Sequence, residues 1–182
     1  MQHNIGIPLA IQNYFSPDEC GKIIELSTGL PEMDGVAGYR GKESPLRDSR
    51  IKAITPSDDN VWLYKKLQNA AISANKQYQF DISGFHEGLQ VAEYTQGGHF
   101  DWHLDIGTET ELARKLSVSV QLCDGNDYTG GDLEFLAVEN QRIPRGLGDI
   151  IVFPAFLAHR VTPVTRGVRW SLVAWVHGAE FR

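Results

Sequence analysis

Cysteine is almost absent from this chain: Cys20 and Cys123 are the only two among 182 residues. They lie far apart and outside any metal-like spacing, so neither a disulfide framework nor a cysteine-built metal site is expected. Both read as reduced thiols, and a cytoplasmic location is expected. Positive charge is in the minority. Against 23 Asp and Glu stand 17 Lys and Arg, a formal net charge of −6. That balance argues against a general nucleic-acid or anionic-membrane binder, which needs a positive field. No run approaches the ~20 apolar residues of a membrane helix, and the N-terminus lacks the charged-then-apolar layout of a signal peptide. Internal repeats, low-complexity tracts and linkers are missing too, so one domain over 1–182 is expected. No feature of the chain indicates an oligomeric state.

What is present is a helical beginning and a strand-rich remainder. Ser16-Pro17-Asp18-Glu19 has the form of a capping box with proline at the first helical position, and predicts a helix to about Thr28, ending before Gly29. Residues 31–50 are rich in Gly, Pro and charge and read as a long loop, a candidate lid whose end carries Arg47 and Arg50 as candidate substrate contacts. A second helix is predicted over Asp58–Gln77, with Leu63, Leu67, Ala70, Ala71 and Ala74 recurring at helical spacing.

Eight strands follow: Phe80–Ser83, Gly88–Tyr94, His99–His103, Lys115–Leu122, Asp132–Ala137, Asp149–Phe153, Leu157–Val161 and Val168–Val176. In Lys115–Leu122 the apolar face is Leu116, Val118, Val120 and Leu122; the polar face, Ser117, Ser119 and Gln121, is suited to a wet cavity. The expected fold is mainly β with flanking helices. A helical part, about 1–78, buttresses a double-stranded β-helix, or jelly roll, over about 79–177.

The chemistry concentrates in Gly98-His99-Phe100-Asp101-Trp102-His103-Leu104-Asp105 and in His159 far downstream. A His-x-Asp pair plus one distant His is the donor set of the 2-His-1-carboxylate facial triad, which leaves open positions and marks non-haem Fe(II) oxygenases. Residues two apart on a strand project from one face, so His103 and Asp105 can converge on one ion. So can His99 and Asp101, which share their parity. Spacing alone does not choose between the pairs.

After His159, two β-rich runs flank the turn at Pro163 and Gly167, which predicts a hairpin that returns Arg169 beside His159. Parity places Arg169, Ser171, Val173 and Trp175 on one face. A guanidinium there suits the remote carboxylate of 2-oxoglutarate, with Ser171 as a further hydrogen-bonding group and Trp175 as a pocket wall. Arg166, in the turn, reads as a surface charge.

These segments resemble the Fe(II)- and 2-oxoglutarate-dependent prolyl 4-hydroxylase-like oxygenases, including their small microbial and phage members, from about Phe15 to Trp175. The run Leu89 to Asp105 is similar to the family pattern Tyr-x-x-Gly-x-x-Tyr-x-x-His-x-Asp, and in that register the metal ligands are His103 and Asp105, with His159 as the third. Tyr128-Thr129-Gly130-Gly131-Asp132-Leu133-Glu134-Phe135 looks like the family's central Gly-Gly-acidic strand, and Gly148 to Arg169 like its final strands.

The resemblance implies Fe(II), 2-oxoglutarate and O2 as cofactor and cosubstrates, ascorbate as a support of activity, and a prolyl residue in a protein or peptide as the substrate, with release of succinate and CO2. It also implies that Tyr94 faces 2-oxoglutarate beside Arg169. Two departures stand out. Phe100 replaces a Tyr found near the substrate in many members, and Arg169 stands where collagen-type members carry Lys. Phe100, Trp175, Arg47 and Arg50 are the expected substrate pocket. Two other readings are carried: a hydroxylase of a free amino acid or other small molecule, and a non-catalytic jelly-roll binding module.

Overall fold

The computed structural model describes residues 5–34, 46–106, 113–136, 138 and 143–180. Strand β1 (Leu9–Ile11) precedes helix α1 (Pro17–Ser27); β2 (Glu32–Asp34), β3 (Arg47–Asp48) and β4 (Arg50–Ile54) follow, and a 3-10 turn (Asp58–Asn60) leads into α2 (Val61–Tyr78). Next come β5 (Gly84–Phe85), β6 (Leu89–Tyr94), β7 (His99–His103), β8 (Ala113–Gln121), β9 (Thr129–Gly130) and β10 (Leu133–Phe135). The chain closes with β11 (Ile150–Pro154), β12 (His159–Val161), β13 (Val164–Arg166) and β14 (Arg169–Gly178).

The predicted capping box is formed. Glu19 N–H donates to Ser16 Oγ at 3.2 Å, and Ser16 N–H donates to the Glu19 carboxylate at 2.8 Å. Such a cap stabilises a helix by about 1 kcal/mol. Helix α2 buries Leu63, Leu67, Ala70, Ala71 and Ala74, the stripe its spacing predicts, together with Tyr78. No helix among the described residues is long and apolar enough to cross a membrane.

An eight-stranded sheet runs β1-β11-β8-β14-β6-β4-β2, with β5 also on β14. A four-stranded sheet, β10-β12-β7-β3, faces it, and β13 pairs with β9 in a small third sheet. Two apolar cores result. One lies between the helices and the larger sheet, where Leu63 and Leu67 meet Leu116, Val118, Leu172 and Val176. The other lies between the sheets and holds Ala92, Tyr94, Ile151, Phe153, Leu157 and Val161. The jelly roll buttressed by helices is therefore present.

Several local expectations are corrected. Phe80–Ser83 is not a strand: Asn75 brackets Phe80 through both its amide groups and Gln79 ends α2 in the left-handed conformation, so pairing begins only at Gly84. The segment 31–50 is not one loop. Glu32–Asp34 and Arg50–Ile54 pair with each other, Arg47–Asp48 pairs with β7, and the remaining residues 35–45 of the candidate lid lie outside the described residues. The part before residue 79 is not simply helical, since β1 and β4 extend the larger sheet and β3 the smaller one. Shortness hid β1 and β3, because two or three residues carry no readable alternation.

Candidate metal centre and cosubstrate pocket

The smaller sheet brings His103 and His159 together. On adjacent antiparallel strands, His159 of β12 lies directly opposite His103 of β7. The same ladder then slips, pairing Val161 with Phe100, so three residues of β7 are spanned by two of β12. The extra residue is a β-bulge, and it reverses the parity of β7 halfway along. Phe100 and His103 consequently both line the cavity between the sheets, whereas His99 and Asp101 do not. The shared parity of the two His-x-Asp pairs, read from spacing, is broken by this bulge.

Asp105 lies beyond the end of β7, not on it. Its backbone N–H donates to Ala155 O at 2.9 Å and its carboxylate accepts from Ser117 Oγ at 2.6 Å. The two carboxylate oxygens stand 3.6 Å from His103 Nε2 and 3.5 Å from His159 Nε2. Ligand atoms of all three residues lie within 4.8 Å of one another.

The electrostatics suit a cation. Burial is the largest influence on His103 and, with the nearby His159, lowers its pKa to about 4, so the ring is neutral at physiological pH. His103 Nδ1 bonds to Asp101 O at 2.7 Å and His159 Nδ1 to Leu157 O at 2.9 Å. A bond to a carbonyl assigns the proton to Nδ1 and leaves the Nε2 lone pair facing Asp105. Burial alone would raise the Asp105 carboxyl. The adjacent His159 and His103 and the Ser117 hydroxyl outweigh it and hold the carboxyl below its ordinary range. Two imidazoles and one carboxylate, with no thiolate, form a donor set that fits Fe(II).

The larger sheet supplies the cavity floor through three cross-strand pairs: Arg169 with Tyr94, Ser171 with Ala92 and Val173 with Gln90. Arg169, Ser171, Val173 and Trp175 all line the cavity, as their shared parity predicts, and Tyr94 of β6 lines it beside them, as the resemblance implies. Arg169 is 2% exposed. One of its terminal nitrogens donates to Ser171 Oγ at 3.2 Å, its guanidinium lies 5.3 Å from the centre of the Tyr94 ring, and its Nε has no partner among the described residues. A buried cation with an orphaned N–H calls for an anion. The Gly130-Gly131 pair has a local reason here: a Cβ on Gly131 would come within 3.0 Å of Arg169 Cδ.

On the substrate side Phe100, Trp175 and Arg47 line the cavity. The Phe100 ring stacks on His103 with centroids 3.4 Å apart, and the Arg47 guanidinium lies 4.8 Å from the Phe100 ring centre. Arg50 is a correction. It points away, exposed, and pairs with Glu32 at 3.4 Å, because β4 turns its side chain off the cavity face.

Gln90, Glu87 and Arg114 escaped the sequence reading, and Gln121 was read only as part of a polar strand face. Gln90 lines the cavity and Gln121 an adjoining cleft, each with a buried carboxamide oxygen lacking a partner among the described residues. The polar alternation of β8 signalled the region of Ser117 and Gln121 but not their contacts. Glu87 and Arg114, which form a bidentate ion pair beside Trp175, gave no signal at all.

A sequence profile described as the 2OG-Fe(II) oxygenase superfamily matches residues 89–177. A PKHD-type hydroxylase of Pseudomonas fluorescens is 36% identical over 92% of this chain and 76% of its own length. Among solved structures, a viral collagen prolyl hydroxylase from Paramecium Bursaria Chlorella virus-1, in complex with 2OG, has a TM-score of 0.72 at 19% identity, covering 98% of this chain and all of that one. A prolyl hydroxylase from Trichoplax adhaerens, in complex with a hypoxia inducible factor oxygen degradation domain peptide fragment, has a TM-score of 0.75 at 18% identity, covering 97% of this chain and 86% of that one. At such identities the structures establish a shared fold. The relative matched over nearly the whole chain, with the profile, shows that this protein belongs with the PKHD-type hydroxylases of the 2OG-Fe(II) oxygenase superfamily.

Proposed function

We propose that this oxygenase hydroxylates a prolyl residue in a protein or peptide, with iron held by His103 Nε2, His159 Nε2 and the Asp105 carboxylate and with 2-oxoglutarate anchored by Arg169. One observation carries the reading: a single cavity holds the three-donor cluster and, elsewhere on its wall, a buried guanidinium with an unsatisfied N–H. When bound, iron and 2-oxoglutarate supply oxygen activation coupled to decarboxylation, with succinate and CO2 as products.

The chain's own residues bind, orient and exclude water. Arg169 offers a planar fork to a carboxylate, Ser171 fixes that fork, and the Tyr94 ring lies against it. Val118, Leu133, Phe153 and Val161 make the walls apolar, which strengthens each polar contact inside.

A peptide is favoured over a free amino acid by the charges on the wall. A free amino acid brings an ammonium that needs an acid, and the only acid among the described lining residues is Asp105, committed to the metal. A peptidyl proline brings no such charge. The Trichoplax enzyme, captured with a peptide fragment, supports the same choice. Ascorbate as a supporting reductant and a cytoplasmic location belong to this proposal.

The test begins without a substrate. Metal-free protein is mixed anaerobically with Fe(II) and 2-oxoglutarate, and the weak visible charge-transfer band of a chelated keto acid is recorded. The wild type and His99→Ala give the band; His103→Ala does not. A folded wild type without the band overturns the metal and cosubstrate assignment. With the band in hand, proline-containing peptides are screened for a mass gain of one oxygen with matching succinate, and a gain confined to free amino acids overturns the peptide assignment.

A further inference from the structure

We infer that Arg114, locked by Glu87, is the positioning residue of the metal centre, holding the Asp105 main chain and the Trp175 indole in register. The inference rests on the metal site proposed above.

Asp105 needs outside support because β7 ends at His103 and no strand ladder holds Leu104, Asp105 or Ile106. Its N–H is held by Ala155 and its carboxylate by Ser117. The remaining backbone group, the Asp105 carbonyl, lies 3.4 Å from an Arg114 terminal nitrogen. That same guanidinium lies 3.9 Å from the centre of the Trp175 ring, so one planar cation touches the metal carboxylate's backbone and the wall of the cavity. Trp175 in turn lines the same cavity as Asp105.

Arg114 reaches this place through a second bulge. Val176 pairs with Leu116, but His177 pairs with Arg114, so one step along β14 spans two along β8. Without the extra residue, Lys115, the parity of β8 would aim Arg114 with Leu116 into the helix-side core. With it, Arg114 joins Trp175 and His177 on the cavity side. Glu87, in the turn between β5 and β6, grips the guanidinium through both carboxylate oxygens, at 2.6 and 2.5 Å, and also pairs with the buried His177 at 2.8 Å. A bidentate grip restricts the guanidinium plane, which is what stacking on an indole requires. Three separated pieces of chain thus converge on a residue whose contacts end at the metal ligand. A purely stabilising ion pair would not need to touch Asp105 or Trp175.

The test uses the full chain, metal-free, titrated with Co(II) as a spectroscopic stand-in for Fe(II). Visible absorption gives the affinity, and tryptophan fluorescence reports the environment of the indoles. Arg114→Ala is expected to weaken Co(II) binding by about 10- to 100-fold, the usual effect of losing a partner that orients a ligand. Arg114→Lys recovers little, since one ammonium cannot span Glu87, the indole face and a carbonyl.

Glu87→Gln keeps the volume and falls between wild type and Arg114→Ala, and it decides the matter if Arg114→Ala does not fold. Lys66→Met is the control. It removes a cation that pairs with Glu19 and lies over Phe15, far from the cavity, so it lowers the unfolding midpoint and leaves Co(II) affinity unchanged. Folded Arg114→Ala and Glu87→Gln proteins that bind Co(II) like wild type overturn the inference while the metal site stands. A wild type that binds no Co(II) overturns both.

Discussion

His103 faces His159 directly across two antiparallel strands, yet two residues further along β12 the partner of Val161 is Phe100, not Asp101. The slip turns Phe100 inward, where its ring lies nearly parallel to the His103 imidazole at 6°. One histidine is therefore fixed from two directions, by the Asp101 carbonyl at Nδ1 and by an aromatic face against the ring. Metal affinity depends on ligands that do not have to be ordered when the ion arrives.

The first prediction concerns that stack. Phe100→Ala frees the imidazole and opens space beside it, and is expected to weaken Fe(II) binding by about tenfold, as for other partners that orient a ligand. Phe100→Tyr keeps the aromatic face and stays within about twofold of wild type. Anaerobic titration of the visible band against Fe(II) distinguishes them, and equal affinities for wild type and Phe100→Ala contradict the role given to the ring.

Arg169 carries the second. Hydrogen bonds to charged groups contribute about 1.5–3 kcal/mol, and about 1.4 kcal/mol is tenfold in affinity. Arg169→Met should therefore raise the dissociation constant for 2-oxoglutarate by about 10- to 100-fold or more, with Fe(II) affinity little changed. Arg169→Lys keeps the charge without the fork and falls between. Arg166→Ala, an exposed residue three positions earlier, should change neither. Calorimetric titration of the Fe(II)-loaded protein under nitrogen gives all four values.

The legible features were those written in long periodic runs or in dense chemistry. Helix α2, the alternation of β8 and the Arg169–Trp175 face follow from spacing because each runs far enough to show its period. The ligand residues were legible as types, but choosing His103 and Asp105 over His99 and Asp101 required the family resemblance. The physical reason, a bulge in β7, depends on what the opposite strand does, and no local pattern records that. The same holds for Arg114, aimed by the bulge at Lys115, and for Glu87, whose two partners lie 27 and 90 residues away. Short strands such as β3 and β9 left no signal, since two residues have no period. Arg50 was misassigned because sequence proximity to Arg47 says nothing about which side of a strand it occupies.

The third prediction tests the corner where the chain before α1 meets the sheet. Gly148 has φ +81°, and a Cβ there would come within 1.9 Å of the Phe15 carbonyl oxygen, which cannot move without breaking its setting. Phe15 N–H also donates to Gly148 O at 3.0 Å. Gly148→Ala should cost more than about 2 kcal/mol, since left-handed backbone alone costs about 1–2 kcal/mol for a residue with a side chain. Gly29→Ala, at φ +80° with open space around its Cβ position, should cost only that backbone share. Urea unfolding of the two variants should separate them clearly; equal losses would show that the Phe15 contact is not rigid.

The fourth concerns acid. Burial alone would raise the Glu87 carboxyl, but the hydrogen bonds and charge of Arg114, with His177 behind them, hold it below its ordinary range. A depressed folded value means that the unfolded chain binds the proton more readily, so the ion pair stabilises the fold above the unfolded pKa of about 4.3 and is lost as pH falls through the lower folded value. Wild type should accordingly be more stable than Glu87→Gln at pH 7 and at pH 5.5, and the difference should shrink steadily below about pH 4. The comparison is made on metal-free protein by urea unfolding at each pH, so that ligand protonation at the metal centre is common to both variants. A gap that stays constant down to pH 3, or one that appears only in acid, would mean that the Arg114 grip on Glu87 contributes nothing to folding and that its role is confined to the geometry of the site.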